Sequence, residues 1–384
     1  MNIALNAVSF APGRMGGVET YFRNLVRSLQ EVDTKNDYYL FCNERYINSF
    51  QLSNSHFIPL PCIWAKPSPL WYFRVAIKDA TRIDILKLFM NRLNVDLIHH
   101  PFSILNPIGL KTPSVLTFID MQHEFFPKYF SSRVLKARKR LYRQSAEQAT
   151  RIIAISGHAK SCLVERYQID PEKIDVVHIG YEPEFRVMDN SDLRETVRNR
   201  YGLHKPFIYY PAATWPHKNH KRLLAALKLM KERYGFDGQL VLSGIAMQAN
   251  DEILEEIGRL GLQDDVILLG YLPNEDLPYL YNLARMMVFP SLFEGFGIPL
   301  VEAMACGCPI ACSNVTSIPE VVGDAALTFD PCSIEEIAEK SWKLWNDDAV
   351  RQESIVGGLA RVKLFNWENM ARQTVAVYEK VKTV

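Results

Sequence analysis

Two glutamates, Glu294 and Glu302, flank a turn holding Gly295 and Gly297 in the stretch SLFEGFGIPLVEAMACG (291–307). The run MMVFPS (286–291) before it has strand composition. PLVEAMAC after it has helix composition, with Pro299 suited to a first turn, Gly307 to the position past the end, and Pro309 blocking continuation. A strand that feeds a helix N-terminus through a glycine loop presents free backbone N–H groups and the positive end of the helix dipole. That suits an anion, most simply a phosphate. Glycine lets backbone approach a ligand closely, so Gly295, Phe296, Gly297 and Ile298 are candidate phosphate-binding positions. Glu302, one turn into the helix, is placed to accept hydrogen bonds from a ribose diol, each worth roughly 1.5–3 kcal/mol. Glu294 is placed to meet hydroxyls of a sugar beyond the phosphates. Spacing alone leaves a second reading open, in which Glu302 lies on a helix face and the glycines serve only the turn.

The elements that must position these residues repeat one pattern. Short apolar runs alternate with longer amphipathic stretches, as in a parallel sheet covered by helices on both faces. IALNAV (3–8), YYLFCN (38–43), DLIHH (96–100), SVLTFID (114–120), RIIAIS (151–156) and DVVHIG (175–180) read as strands of a first unit. FIYYPAA (207–213), QLVLSG (239–244), VILLGY (266–271), MMVFPS, PIACS (309–313) and ALTF (326–329) read as strands of a second, with a helix over about 221–233. The charged stretch EPEFRVMDNSDLRETVRNRYGLHK lacks strand periodicity and sets a boundary near residue 185. The expectation is α/β, with Rossmann-like domains over 1–185 and 186–366 and a C-terminal helix over 367–384 packing back on the first. Ligands of doubly wound sheets bind at the carboxyl ends of strands, so the two domains are expected to face across a cleft.

Composition narrows the partners. With 44 basic and 43 acidic side chains the net charge is +1, which gives no reason to expect a nucleic acid. The seven cysteines lack paired CxxC spacing, and the alternation in CGCPIAC (Cys306, Cys308, Cys312) suits a short strand better than a metal cage; reduced, buried cysteines are expected. The start MNIALNAVSF lacks a basic segment followed by a long apolar run, and no stretch reaches about 18 apolar residues. A cytoplasmic location is expected, which leaves the sequon Asn314-Val315-Thr316 without meaning. The segment 131–148 concentrates Arg133, Lys136, Arg138, Lys139, Arg140 and Arg143 among Val134, Leu135, Leu141 and Tyr142. It reads equally as a peripheral contact with an anionic membrane face or as a solvated helix. A second amphipathic stretch spans 71–93.

The string SLFEGFGIPLVEAMACGCPI resembles the EX7E signature of retaining family 4 (group 1) glycosyltransferases, and SIPEVVGDAALTFDP resembles the segment that follows it. GGVETYFRNL, TFIDMQHEFFPKYF, ISGHAKSCLVERY and PAATWPHKNHKRLLAAL are similar to further landmarks, especially those of bacterial O-antigen mannosyltransferases. The resemblance implies the GT-B fold and transfer of a hexose, with mannose from GDP-mannose the leading donor, to a lipid-linked oligosaccharide or polysaccharide. It implies that backbone at Gly16 and Gly17 approaches the donor, that Lys218 meets its diphosphate, and that backbone around Gly270, Tyr271 and Leu272 reads the base. Asp120 and His123 would orient substrate hydroxyls.

Two departures stand out. Ala212-Ala213-Thr214-Trp215 lies where many members carry an arginine, and Ile119 lies where many carry a histidine, so His123 is a candidate substitute. No Asp-x-Asp pair is present, so catalysis without a metal or other cofactor is expected. Two alternatives stay open: a nucleotide-sugar epimerase on the same fold, and an inactive nucleotide-sugar-binding assembly subunit.

Overall fold

A computed structural model describes residues 1–13, 15–66, 68–189 and 191–382. The chain divides into unit 1, Met1–Gly180 together with the segment from Asn366 on, and unit 2, Tyr181–Phe365. The first division thus falls a few residues before 185.

In unit 1 the apolar runs become seven parallel strands: β1 Asn2–Ala7, β2 Asp37–Asn43, β3 Phe57–Cys62, β4 Leu97–His100, β5 Ser114–Phe118, β6 Arg151–Ala154 and β7 Ile174–Val176. Their order is β3-β2-β1-β4-β5-β6-β7, so the direction of winding reverses between β1 and β4. β3 escapes sequence reading because FIPLPC carries Pro59 and Pro61. Prolines two apart leave their missing N–H groups on one edge, and an outermost strand tolerates this.

The C-terminal helix Trp367–Val381 buries Met370, Ala371, Thr374, Val377, Tyr378 and Val381, a single helical stripe, and packs on the helix Gly17–Val32. A buried chain of polar groups fixes it there. The Tyr21 hydroxyl meets Thr117 Oγ1 at 2.8 Å, Thr117 Oγ1 meets His99 Nε2 at 2.8 Å, and His99 Nδ1 meets the Tyr378 hydroxyl at 2.6 Å. Burial pushes His99 down to about 3, so the neutral ring donates at one nitrogen and accepts at the other. Where the chain passes between units, a Cβ on Gly180 would lie 2.5 Å from the Trp367 backbone nitrogen, so only glycine fits.

Unit 2 has six parallel strands: β8 Phe207–Pro211, β9 Gln239–Ser243, β10 Val266–Gly270, β11 Met286–Phe289, β12 Ile310–Ser313 and β13 Leu327–Phe329. The order β10-β9-β8-β11-β12-β13 places the reversal between β8 and β11. The inner strands of both sheets are nearly fully buried, which is why they read as largely apolar runs, whereas the edge strands β3 and β10 are partly exposed.

The cysteine expectations need correction. Of the CGCPIAC trio only Cys312 lies on a strand; Cys306 ends the helix Ile298–Ala305 and Cys308 sits in the turn after it. Six cysteines are buried, whereas Cys332 is exposed. Among the described residues no helix is long and apolar enough to cross a membrane.

Candidate active site

A parallel sheet opens a crevice where its winding reverses, because the loops leaving the two central strands diverge to opposite faces. In unit 2 those loops follow β8 and β11, and they carry Lys218 and Glu294 respectively. Lys218 Nζ donates to Glu294 Oε1 at 2.6 Å, with the two side chains 18% and 11% exposed. The ammonium also lies 5.8 Å from the centre of the Phe289 ring.

The turn Pro216–Lys218 is held from several sides. The buried Tyr210 hydroxyl donates to the Lys218 carbonyl at 2.7 Å, and Leu292 N donates to the His217 carbonyl at 2.8 Å. Asn219 follows with φ +63°, a conformation asparagine adopts more readily than most residues. Its Nδ2 donates to the carbonyls of Pro290 at 3.0 Å and Pro331 at 2.8 Å, tying the turn to the loops after β11 and β13.

The glycine loop is braced from beyond β12. Glu294 N donates to Thr316 Oγ1 at 3.2 Å, and Ser317 Oγ donates to the carbonyls of Glu294 and Phe296, both at 3.1 Å. Gly297, at φ +101°, immediately precedes the helix, and a Cβ there would lie 2.9 Å from Leu300 Cδ1. The helix Ile298–Ala305 carries Pro299 in its first turn and Gly307 at φ +65° past its end. The Phe296 ring is buried against Phe365, so only its backbone is available to a ligand.

Glu302 lies further along that helix and accepts from the Tyr281 hydroxyl at 2.9 Å. Burial raises its carboxyl to about 7 and the Glu182 charge adds to this, against the opposing effect of the Tyr281 hydrogen bond. At the end of the edge strand β10, Gly270 has φ +65°, its carbonyl accepts from Gly244 N at 2.7 Å, Tyr271 is exposed and Leu272 is buried. Thr214, in the segment lacking an arginine, instead holds the loop after β9: Met247 N donates to its Oγ1 at 2.6 Å.

The remaining sequence candidates belong to unit 1. Gly16 caps the helix Gly17–Val32 at φ +53°, and a Cβ there would meet nothing within 4 Å, so the backbone angle rather than crowding selects glycine. Both Gly16 and Gly17 are exposed. Asp120 follows β5 and accepts from Gln122 N at 3.2 Å. His123 has no exposed surface: its ring packs on Tyr142 with centroids 4.6 Å apart, and its Nε2 lies 3.3 Å from the Tyr167 hydroxyl. Burial pushes it down to about 4. As placed, the ring packs between Tyr142 and Tyr167 with no exposed face.

The structure therefore joins Lys218 to Glu294, keeps Gly295–Ile298 and Glu302 on the loop and helix that follow, and leaves Gly16, Gly17, Asp120 and His123 in the other unit. Sequence reasoning missed Asn219, Tyr281, Thr316 and Ser317, whose local sequence marks nothing but a turn or a core aromatic. Among the described residues no group of three or more His, Cys, Asp or Glu side chains could hold a metal ion.

Residues 15–185 match the family described as Glycosyltransferase Family 4, and residues 194–356 match Glycosyl transferases group 1. The chain is 31% identical over 284 residues to O-antigen chain mannosyltransferase B of Escherichia coli, covering 74% of each protein. It is 34% identical over 241 residues to the serotype-specific mannosyltransferase WbdA of Escherichia coli, covering 61% of this chain and 29% of WbdA, so it spans under a third of that relative's length. Sucrose-phosphate synthase from Thermosynechococcus elongatus superposes with a TM-score of 0.78 at 20% identity, over 100% of this chain and 99% of that one. With two Rossmann-like units of GT-B type and an EX7E helix at the strand-order reversal of the second, this chain belongs to the family 4, group 1 glycosyltransferases.

Proposed function

We propose that the chain is a retaining mannosyltransferase that moves mannose from GDP-mannose to a lipid-linked glycan in cell-surface polysaccharide synthesis of the O-antigen kind. The observation that carries the reading is the Lys218–Glu294 pair at the β8/β11 reversal, with Glu302 on the helix that follows. Mannose and the O-antigen context come from the named relatives, among them O-antigen chain mannosyltransferase B.

Transfer requires stabilising positive charge at the anomeric carbon and negative charge on the departing diphosphate. Preorganised donors are the expected main contribution. Lys218 and the backbone N–H groups at the start of the helix Ile298–Ala305 serve the diphosphate, Glu302 accepts from the ribose diol, and Glu294 meets sugar hydroxyls. The acceptor oxygen bonds to the anomeric carbon on the face that the phosphate oxygen leaves, and the acceptor proton passes to that oxygen. Asp120 orients a substrate hydroxyl. No metal is assigned a step.

The test is transfer to a lipid-linked glycan extract from GDP-mannose, UDP-glucose, UDP-galactose and ADP-glucose, with the anomeric configuration of product read by NMR. Transfer from GDP-mannose with an α-linked product supports the proposal. Transfer from another donor, or a β-linked product, overturns that part of it.

A further inference from the structure

The helix Pro69–Thr81 in unit 1 faces the wrong way for a surface in water. Pro69, Leu70, Tyr72, Phe73, Ala76 and Ala80 are exposed, and at about 100° per residue they occupy one half of the helix. Leu70 is 38% exposed, Tyr72 68% and Phe73 57%. Its one buried side chain is an arginine. Arg74 donates through Nε to Asp84 Oδ1 at 2.8 Å and through Nη2 to Asp84 Oδ2 at 3.0 Å, and Lys78 Nζ lies 3.1 Å from Oδ2. Burial alone would raise the Asp84 carboxyl; the hydrogen bonds and charges of Arg74 and Lys78 outweigh it and hold it at about 2. The Arg74 charge is thus turned toward the protein, while the half carrying Leu70, Tyr72 and Phe73 meets solvent beside the exposed Lys78 and Asp79.

The adjoining residues continue this surface. Ile83 and Leu88 are each 51% exposed and Phe89 39%, on or next to the helix Ile85–Met90, which touches the first. Contiguous exposed apolar side chains mark an interaction surface. The charge carried by the same stretch indicates the partner: Lys66, Lys78, Arg82 and Arg92 are exposed and Lys87 is half-buried, against Asp79 as the exposed acid among residues 63–92. Lys66 Nζ lies 4.1 Å from the centre of the Trp71 ring, an aromatic and a cation side by side. Aromatic and aliphatic side chains accompanied by cations suit the boundary between anionic headgroups and acyl chains.

The basic helix Ser132–Gln148 is built otherwise. Ser145 and Ala146 are buried, Tyr142 packs on Phe118 and His123, and Arg138 lies over Phe130 and Tyr142. Lys139 pairs with Glu124 and Arg143 with Glu147, and of its large apolar residues only Val134 is exposed. Its apolar face is spent on the core.

We propose that the helices Pro69–Thr81 and Ile85–Met90 form a docking surface for an anionic lipid bilayer, with Leu70, Tyr72, Phe73, Ile83 and Leu88 entering the headgroup boundary and the cations of the same stretch meeting lipid phosphates. Vesicle binding needs neither donor nor acceptor, so this proposal and the mannosyl-transfer reading fail separately. The test is cosedimentation of the full chain with vesicles of phosphatidylcholine, with and without phosphatidylglycerol. The wild type is expected to bind the anionic vesicles, and a Tyr72→Ser/Phe73→Ser variant to bind at least about tenfold less. Arg82→Glu/Lys87→Glu is expected to lose the preference for phosphatidylglycerol, and Arg133→Glu/Arg140→Glu to bind as the wild type does. Tyr72, Phe73, Arg82, Arg133 and Arg140 are exposed and Lys87 half-buried, so melting temperatures are expected to stay close to that of the wild type; Leu70→Ser is the second variant should the Tyr72/Phe73 one fail to fold. Absence of wild-type binding to anionic vesicles overturns the proposal. So does loss of binding only in the Arg133/Arg140 variant, which would place the contact on the other helix. A wild-type dimer in light scattering that dissociates in the Tyr72/Phe73 variant, without vesicle binding, would make the face a protein interface instead.

Discussion

Lys218 Nζ and Glu294 Oε1 lie 2.6 Å apart, joining the turn after β8 to the turn after β11 where the strand order of unit 2 reverses. In the proposed reading each partner is exchanged when donor binds, Lys218 for the diphosphate and Glu294 for the sugar. The two therefore separate by measurement. Lys218→Ala is expected to weaken binding of a nucleoside diphosphate by about 10- to 100-fold, the worth of one charge-assisted contact. Glu294→Ala removes the competitor for Lys218, so nucleoside diphosphate affinity holds or rises while transfer falls by about 100-fold or more. Calorimetric titration beside a transfer assay checks both.

Glu302 makes binding pH-dependent. Its carboxyl, raised to about 7 by burial, accepts from a diol more strongly once ionised, so nucleotide affinity of the wild type is expected to gain on that of Glu302→Gln from pH 6 to 8. Stability runs the other way. Below the ordinary value of 4.5 both states hold the proton; from there to about 7 the unfolded chain releases it and the folded chain keeps it, so stability falls with rising pH and then levels. The melting temperature of Glu302→Gln should gain on that of the wild type across this window.

Asn219 holds the lysine's turn by two means, a left-handed backbone and two donated hydrogen bonds. Asn219→Gly keeps the backbone and leaves two carbonyls unpaired, at a cost of about 1–3 kcal/mol. Asn219→Leu also strains the backbone and should cost more. Transfer should fall in both, since Lys218 is the preceding residue. Chemical denaturation of the two variants beside the wild type separates the contributions.

Tyr378→Phe deletes the hydroxyl that meets His99 Nδ1 and leaves a buried ring nitrogen unpaired. The expected loss is about 1–3 kcal/mol, a drop of a few degrees in melting temperature. Nucleotide affinity should stay unchanged, because the pair lies wholly in unit 1.

The strands were legible because doubly wound sheets bury both faces, leaving apolar runs separated by amphipathic ones. Only β3 was hidden, by the two prolines that its outer position tolerates. At the site, the spacing of Glu294, Gly295, Gly297 and Glu302 marks a candidate that the EX7E resemblance favours over a plain turn, and Lys218 is marked by resemblance alone. Its contact with Glu294 follows from β8 lying beside β11, a consequence of topology that no local pattern encodes. Tyr281, Thr316 and Ser317 were illegible for the same reason. The enclosure of His123 by Tyr142 and Tyr167 likewise comes from packing between segments distant in sequence.

The most direct measurement is thermal stabilisation of the full chain by GDP, UDP, ADP and dTDP in the presence of EDTA, for wild type and Glu302→Ala. The account predicts a shift for GDP that survives EDTA and shrinks in the variant. A shift that EDTA abolishes, one equal in both proteins, or none for any nucleotide would contradict a metal-independent donor site built on Lys218, Glu294 and Glu302.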